Sequence, residues 1–199
     1  MKSDYRVRAC KFFESIYPYI KDCLDDPAMC KYAMQKYNHQ KSRKVQVFAG
    51  YTRIAFLCSD YVIKLDYNPR EIYRVGGCES EVTFYQFAKE QGFAYLLAEI
   101  SRHEYMGITF YVMPRISGMG RVLDRYAEDF FEGEERIFID YYLRDLHDEN
   151  YGWYNKTPVI FDYACNTLWL EDHREEDYYT FSTPRTETPR TTFDEVNFL

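Results

Sequence analysis

The sequence predicts an α+β fold built around a small antiparallel sheet, and three observations carry that expectation. Residues 45–49, 54–57 and 61–65 are short apolar-rich runs joined by tight turns at Gly50-Tyr51-Thr52-Arg53 and Cys58-Ser59-Asp60, the pattern of an antiparallel meander. On either side of it, apolar residues recur at helical spacing. With 199 residues, 46% of them apolar, the chain can bury the core of one ordinary domain or of one small two-lobed domain.

Residues 4–24 carry Phe13, Ile16, Ile20, Cys23 and Leu24 as a helical stripe, which Pro18 is expected to break into two short pieces. Asp26-Pro27 is a cap followed by proline in the first turn, so a second helix should run from there to about Tyr37. The basic, polar residues 38–44 are expected to be a linker. The first 44 residues therefore form a helical extension, expected to complete the core of the sheet-bearing domain.

Past the meander, Pro69 and Gly76-Gly77 mark a polar connection, and residues 79–90 predict a helix with Val82, Tyr85 and Ala88 on one face. Residues 96–100 and 109–113 predict two more strands, the second ending at Met113-Pro114-Arg115. Gly118 and Gly120 loosen the chain, after which 122–131 and 134–142 predict helices. Residues 159–161, after Pro158, predict a short buried strand. The charge-dense run 171–177 predicts a solvated face. The tail, with Thr-Pro-Arg at 183–185 and 188–190, is expected to be extended or disordered, a bland tail first and a target for phosphorylation second.

The net charge of −7 argues against a general nucleic-acid binder and against docking on anionic membranes. No run is long enough to span a membrane, and Met1-Lys2-Ser3-Asp4 opens no apolar signal segment, so a cytoplasmic protein is expected, in the host cytoplasm if the chain is virus-encoded. The six cysteines stand singly without a Cys-x-x-Cys pair, which argues for reduced thiols rather than zinc ligands or a disulfide framework.

The chemistry-bearing residues concentrate in 143–164. Asp145 and Asn150 lie five apart in one loop, and Asp162 follows an apolar run. A nucleotide-borne Mg²⁺ takes a few protein oxygens and keeps several waters, so this set suits a metal–nucleotide site. Upstream, Lys64 is a cation within an apolar strand, and Glu79 and Glu81 open the following helix.

In order, strand–turn–strand, a strand lysine, a helix glutamate, Asp145-Leu146-His147-Asp148-Glu149-Asn150 and the strand-borne Asp162 resemble the protein-kinase-like superfamily. The resemblance spans 47–164 and implies a two-lobed fold, with an antiparallel-sheet N-lobe over 45–113 and a reduced helical C-lobe over 114–181; composition predicts a polar, flexible tail over 182–199. It implies ATP and Mg²⁺ as cofactors. By it, Lys64 would meet the α- and β-phosphates, anchored by Glu81, with Glu79 the other candidate. Asp145 would take or orient the acceptor's hydroxyl proton, while Asn150 and Asp162 would hold the metals. Gly50, Tyr51, Thr52, Arg53 and Met113 would complete the nucleotide site.

The departures from the family pattern are specific. One glycine, Gly50, replaces a glycine-rich loop, with Arg53 a candidate source of added charge toward the phosphates. Leu143 replaces the usual histidine, and Asp162-Tyr163-Ala164 replaces Asp-Phe-Gly. No Ala-Pro-Glu follows, which argues against an activation segment. His147 places Asp-Leu-His-x-x-Asn nearer the aminoglycoside-, choline- and lipopolysaccharide-type kinases. It is expected to brace the loop by hydrogen bonds, with metal ligation as the alternative. The short chain is similar to minimal phage and bacterial-effector kinases and implies phosphoryl transfer to Ser, Thr or Tyr of a protein. A small-molecule acceptor, a pseudokinase acting as a binding module and nucleotidyl transfer are the alternatives.

Overall fold

The computed structural model describes residues 4–68, 72–73, 76–117 and 130–172. Pro69, Gly118, Gly120, the helix expected over most of 122–131, most of the 171–177 charge run and the Thr-Pro-Arg tail lie outside the described residues. The described chain is α+β. Its elements are α1 (Tyr5–Ile20), α2 (Pro27–Lys41), β1 (Gln46–Ala49), β2 (Arg53–Leu57), β3 (Tyr61–Asp66), α3 (Cys78–Glu90), β4 (Ser101–Tyr105), β5 (Ile108–Pro114), α4 (Gly133–Tyr142), β6 (Tyr151–Tyr154), β7 (Thr157–Ile160) and α5 (Thr167–Asp172).

Both first helices begin on aspartate caps. Asp4 accepts from the Arg6 amide at 3.0 Å, and Asp26 accepts from Ala28 and Met29 at 2.9 and 3.1 Å. Pro18 does not divide α1, contrary to expectation: it sits in the last turn of a single helix. At that position only one backbone bond is lost, and the buried Ile16 and Ile20 hold the turn against the sheet. α2 likewise runs past Tyr37 to Lys41 and ends on left-handed Ser42 (φ 49°). The expected linker is thus mostly helix, and Asn38 exchanges two hydrogen bonds with Val45 at 2.7 and 3.1 Å.

The five-stranded sheet has the order β1-β2-β3-β5-β4, each adjacent pair antiparallel. The strand expected over 96–100 is not one. Residues Ala94–Leu96 form a 3₁₀ turn, and the buried Leu96, Leu97, Ala98 and Ile100 pack as core, with Ala98 donating to the Ile160 carbonyl at 2.7 Å. The edge strand is instead the polar Ser101–Tyr105, whose alternate residues face solvent. It returns through Met106 and Gly107, both at positive φ (52° and 77°), a two-residue hairpin turn matched to sheet twist. Asn155 and Lys156 (φ 51° and 69°) repeat the device between β6 and β7.

The sheet is covered on both faces because its strands alternate. Ile54, Phe56, Ile63, Leu65, Phe110 and Val112 share one core with Ala9, Phe13, Ile16 and Ile20 of α1 and Met34 of α2. Phe13 stacks on Phe110 with centroids 4.0 Å apart. Residues 5–41 therefore complete this core rather than decorating it. On the opposite face, Tyr111 and Met113 join Phe84 and Ala88 of α3, Phe138 of α4, Ile160 and Tyr163 in a second core. Lys64, flanked across the sheet by Ala55 and Tyr111, points to that second face.

Candidate active site

A cleft of about 840 Å³ opens beneath that second face, a volume typical of small-molecule sites. Ala55, Leu57, Val62, Met113 and Leu146 supply apolar walls; Lys64, Arg53, Asp145 and Asp162 supply the charge.

β3 carries Lys64 into the cleft, where its Nζ donates to both Glu81 oxygens at 2.9 and 3.0 Å and to the Phe161 carbonyl at 3.1 Å. Glu81, 0% exposed on α3, is thus the glutamate against Lys64. Glu79, two residues away and on another helix face, accepts from the Tyr111 hydroxyl at 2.9 Å and pairs with Arg102.

Arg53 lies in the same network. Its Nη1 donates to Glu81 Oε1 and its Nη2 to Asp162 Oδ1, each at 2.7 Å. The guanidinium that the resemblance would turn toward phosphates is held between two carboxylates. Lys64, Arg53, Glu81 and Asp162 together form an alternating cluster without net charge, which is what a poorly solvated site tolerates. Burial opposes the charge on Arg53, yet Glu81 and Asp162 hold its pKa above the ordinary value. Burial also works against ionised Asp162, but Arg53 and Lys64 keep it below the usual carboxylate range. For Glu81 full burial prevails and raises the pKa against the pull of the two cations.

Backbone pairing assembles the rest. Leu143 bridges Asn166, and the Arg144 amide donates to the Cys165 carbonyl at 3.1 Å, laying the Asp145 loop along the chain after Asp162. The Phe161 amide donates to the Asn150 carbonyl at 3.0 Å, which sets Asn150 beside the segment bearing Asp162. The buried Asn150 side chain donates to the Asp145 carbonyl at 2.6 Å, closing the loop on itself. Asp145 keeps an exposed side chain at the cleft. His147 contributes a backbone carbonyl, which accepts from the Asn150 amide at 2.8 Å; its side chain is exposed.

The Gly50 turn is tied down, its amide donating to the Arg53 carbonyl at 2.8 Å and its own carbonyl accepting from the Tyr67 hydroxyl at 2.8 Å. Tyr51 is exposed at the tip, whereas Thr52 is buried.

A supporting shell at 163–166 is invisible in the residue pattern. Tyr163 is 1% exposed and donates to the Ala98 carbonyl at 2.6 Å. Ser80 donates to the Ala164 carbonyl at 2.7 Å, and Asn166 Nδ2 lies 2.7 Å from the Ser80 hydroxyl and 3.0 Å from the Tyr163 carbonyl. Gly76, at φ 79°, passes so close to Ala164 that a Cβ would overlap its carbonyl oxygen. Asn166 before Thr-Leu-Trp is the one signal available in sequence, since its side chain also caps α5 by accepting from the Trp169 amide at 3.0 Å.

Among the described residues no group of three or more His, Cys, Asp and Glu side chains could hold a metal by itself. The donor set at 150 and 162 is a carboxamide and a carboxylate, hard oxygen donors on segments joined by the Phe161–Asn150 backbone bond. That fits a Mg²⁺ arriving with a polyphosphate that supplies the remaining oxygens, rather than a resident ion. Among the described residues no helix is long and apolar enough to cross a membrane. No protein-family model matches the chain, and no curated protein matches it in sequence.

Proposed function

We propose that the chain is an ATP- and Mg²⁺-dependent phosphotransferase with a reduced, protein-kinase-like two-lobed architecture, transferring the γ-phosphoryl group to a hydroxyl of a protein. One observation carries this reading. A buried lysine–glutamate pair on β3 and α3 brings Lys64 into a single cleft with Asp145 and Asp162, with the buried Asn150 bonded to the Asp145 carbonyl behind it. The β1-β2-β3-β5-β4 order and the apolar walls beside Met113 support it, since apolar walls next to cations suit a nucleobase joined to phosphates.

In this reading Lys64, oriented by Glu81, presents its ammonium to the phosphates; Asn150 and Asp162 would hold Mg²⁺, which neutralises phosphate charge and templates the triphosphate. The acceptor oxygen attacks the γ-phosphorus as the bond from that phosphorus to the β–γ bridging oxygen breaks. ADP carries away the electron pair of that bond, and the hydroxyl proton passes to the Asp145 carboxylate. Asp145 needs position more than basicity, because such transition states are loose. Its exposure leaves space for an acceptor as large as a protein side chain in its own chain.

A second reading, a nucleotide-binding module without chemistry, is favoured by the Arg53–Asp162 ion pair and by the Gly50 amide being committed within its turn. Incubation with ATP labelled at the γ- or the α-phosphate separates the readings. γ-Label on protein that is lost in Asp145→Asn and Lys64→Ala is the expected result. Thermal stabilisation by ATP without transfer to added protein acceptors supports the binding module. α-Label transfer, or no response to ATP at all, sinks the phosphotransferase.

A further inference from the structure

Arg53 is bound to the very carboxylate that the proposed function assigns to metal. Its Nη2 meets Asp162 Oδ1 at 2.7 Å while its Nη1 meets Glu81 Oε1 at 2.7 Å, so one guanidinium spans α3 and the 161–165 segment. The side chain is largely buried, but Asp162 remains 38% exposed on the cleft side. The same arginine ends the turn that roofs the cleft, with the Gly50 amide bonded to the Arg53 carbonyl at 2.8 Å.

We propose that Arg53 is a displaceable internal counter-ion: it occupies Asp162 until a divalent cation takes that carboxylate. The inference rests on the phosphotransferase reading of the site, and it adds an antagonism between one side chain and the metal.

The charges support displacement over permanence. With Arg53 in place, the Lys64–Glu81–Arg53–Asp162 cluster is neutral and holds no excess negative charge to attract a cation. Without it, the remaining three groups carry a net negative charge. Glu81 keeps Lys64 when Arg53 leaves, so no buried carboxylate is orphaned by the exchange. Asp162, partly open to solvent, then exchanges a monovalent partner for a divalent one.

Mn²⁺ binding, read by its paramagnetic resonance signal on full-length protein held in excess over a non-hydrolysable ATP analogue, tests this directly. Arg53→Gln is expected to bind Mn²⁺ at least about tenfold tighter than wild type, because a unit charge near the site is removed. The gain should vanish in Arg53→Gln/Asp162→Asn. Arg53→Lys, which keeps the charge but loses the fork, should fall between wild type and Arg53→Gln. Circular dichroism verifies that each variant is folded. Equal Mn²⁺ affinity in wild type and Arg53→Gln, weaker affinity in Arg53→Gln, or no binding to either, overturns the counter-ion. Loss of the phosphotransferase reading is seen separately, as wild-type protein that transfers no γ-label whatever the Mn²⁺ comparison shows.

Discussion

The Tyr163 hydroxyl donates to the Ala98 carbonyl at 2.6 Å, joining the residue after Asp162 to the segment that precedes β4. Both partners are buried, so the bond ties the residue after Asp162 into the second core. Tyr163→Phe leaves the Ala98 carbonyl unpaired in the interior, which costs about 1–2 kcal/mol. Thermal unfolding should drop by roughly 2–8 °C for a chain of this size. An unchanged melting temperature would mean that the carbonyl finds another donor.

Two glycines near the cleft should respond oppositely to alanine. At Gly76 the backbone is left-handed and a Cβ would overlap the Ala164 carbonyl, so Gly76→Ala should cost more than about 1 kcal/mol and displace the 163–166 shell. At Gly50 the nearest atom to a Cβ is 3.7 Å away and the backbone is not left-handed, so Gly50→Ala should leave stability within about 0.5 kcal/mol of wild type. Parallel urea melts of the two variants check the contrast.

Lys64→Met strands Glu81 with Arg53 as its remaining cation. Breaking a buried pair ordinarily costs about 3–5 kcal/mol, and the surviving partner should hold the loss to about 2 kcal/mol. Adding Glu81→Leu removes the buried charge and should recover part of that loss. Urea melts of the single and double variants measure both steps. Greater destabilisation in the double variant than in Lys64→Met would show that Glu81 is needed chiefly by Arg53.

His103 should make stability pH-dependent. Its Nδ1 lies 3.4 Å from the Cys10 thiol, its Nε2 2.9 Å from the Ser101 hydroxyl, and its ring stacks on Phe110 at 5.5 Å. Burial, then the positive charge of Arg6, lowers its pKa, with Asp4 pulling weakly the other way. Below the free-histidine value of about 6.5 the unfolded chain takes up a proton that the folded chain resists, so stability falls as pH drops through that value. The melting temperature should therefore decline between about pH 7 and pH 5 more steeply in wild type than in His103→Gln. Equal slopes would remove His103 as the cause.

Local pattern makes part of this site legible. Lys64 stands out because an ammonium in an apolar strand needs a partner, and Glu81 is preferred over Glu79 because it opens the apolar face of its helix. Asp145 and Asn150 lie in one loop and need no tertiary knowledge. Arg53 cannot be read in the same way: its partners are 28 and 109 residues distant, and nothing local distinguishes an arginine facing phosphate from one facing carboxylate. The strand expected over 96–100 fails for a related reason. An apolar run is equally good as core outside a regular strand, while the true edge strand, Ser101–Tyr105, is polar because solvent meets one of its sides. Pro18 misleads because its effect depends on whether helix or helix end surrounds it, and the sheet packing that extends α1 is nonlocal.

The pairing of α1 with the far side of the sheet also bears on synthesis. Cys10 and His103 touch across 93 residues of chain, so α1 leaves the ribosome long before its last partner exists. At ~5–20 residues per second the apolar stripe of Phe13, Ile16 and Ile20 would wait roughly 5–20 s for the last of its cover. The nascent helix is thus shielded in stages, by α2 and then by β2 and β3, before the β4–β5 hairpin completes the core.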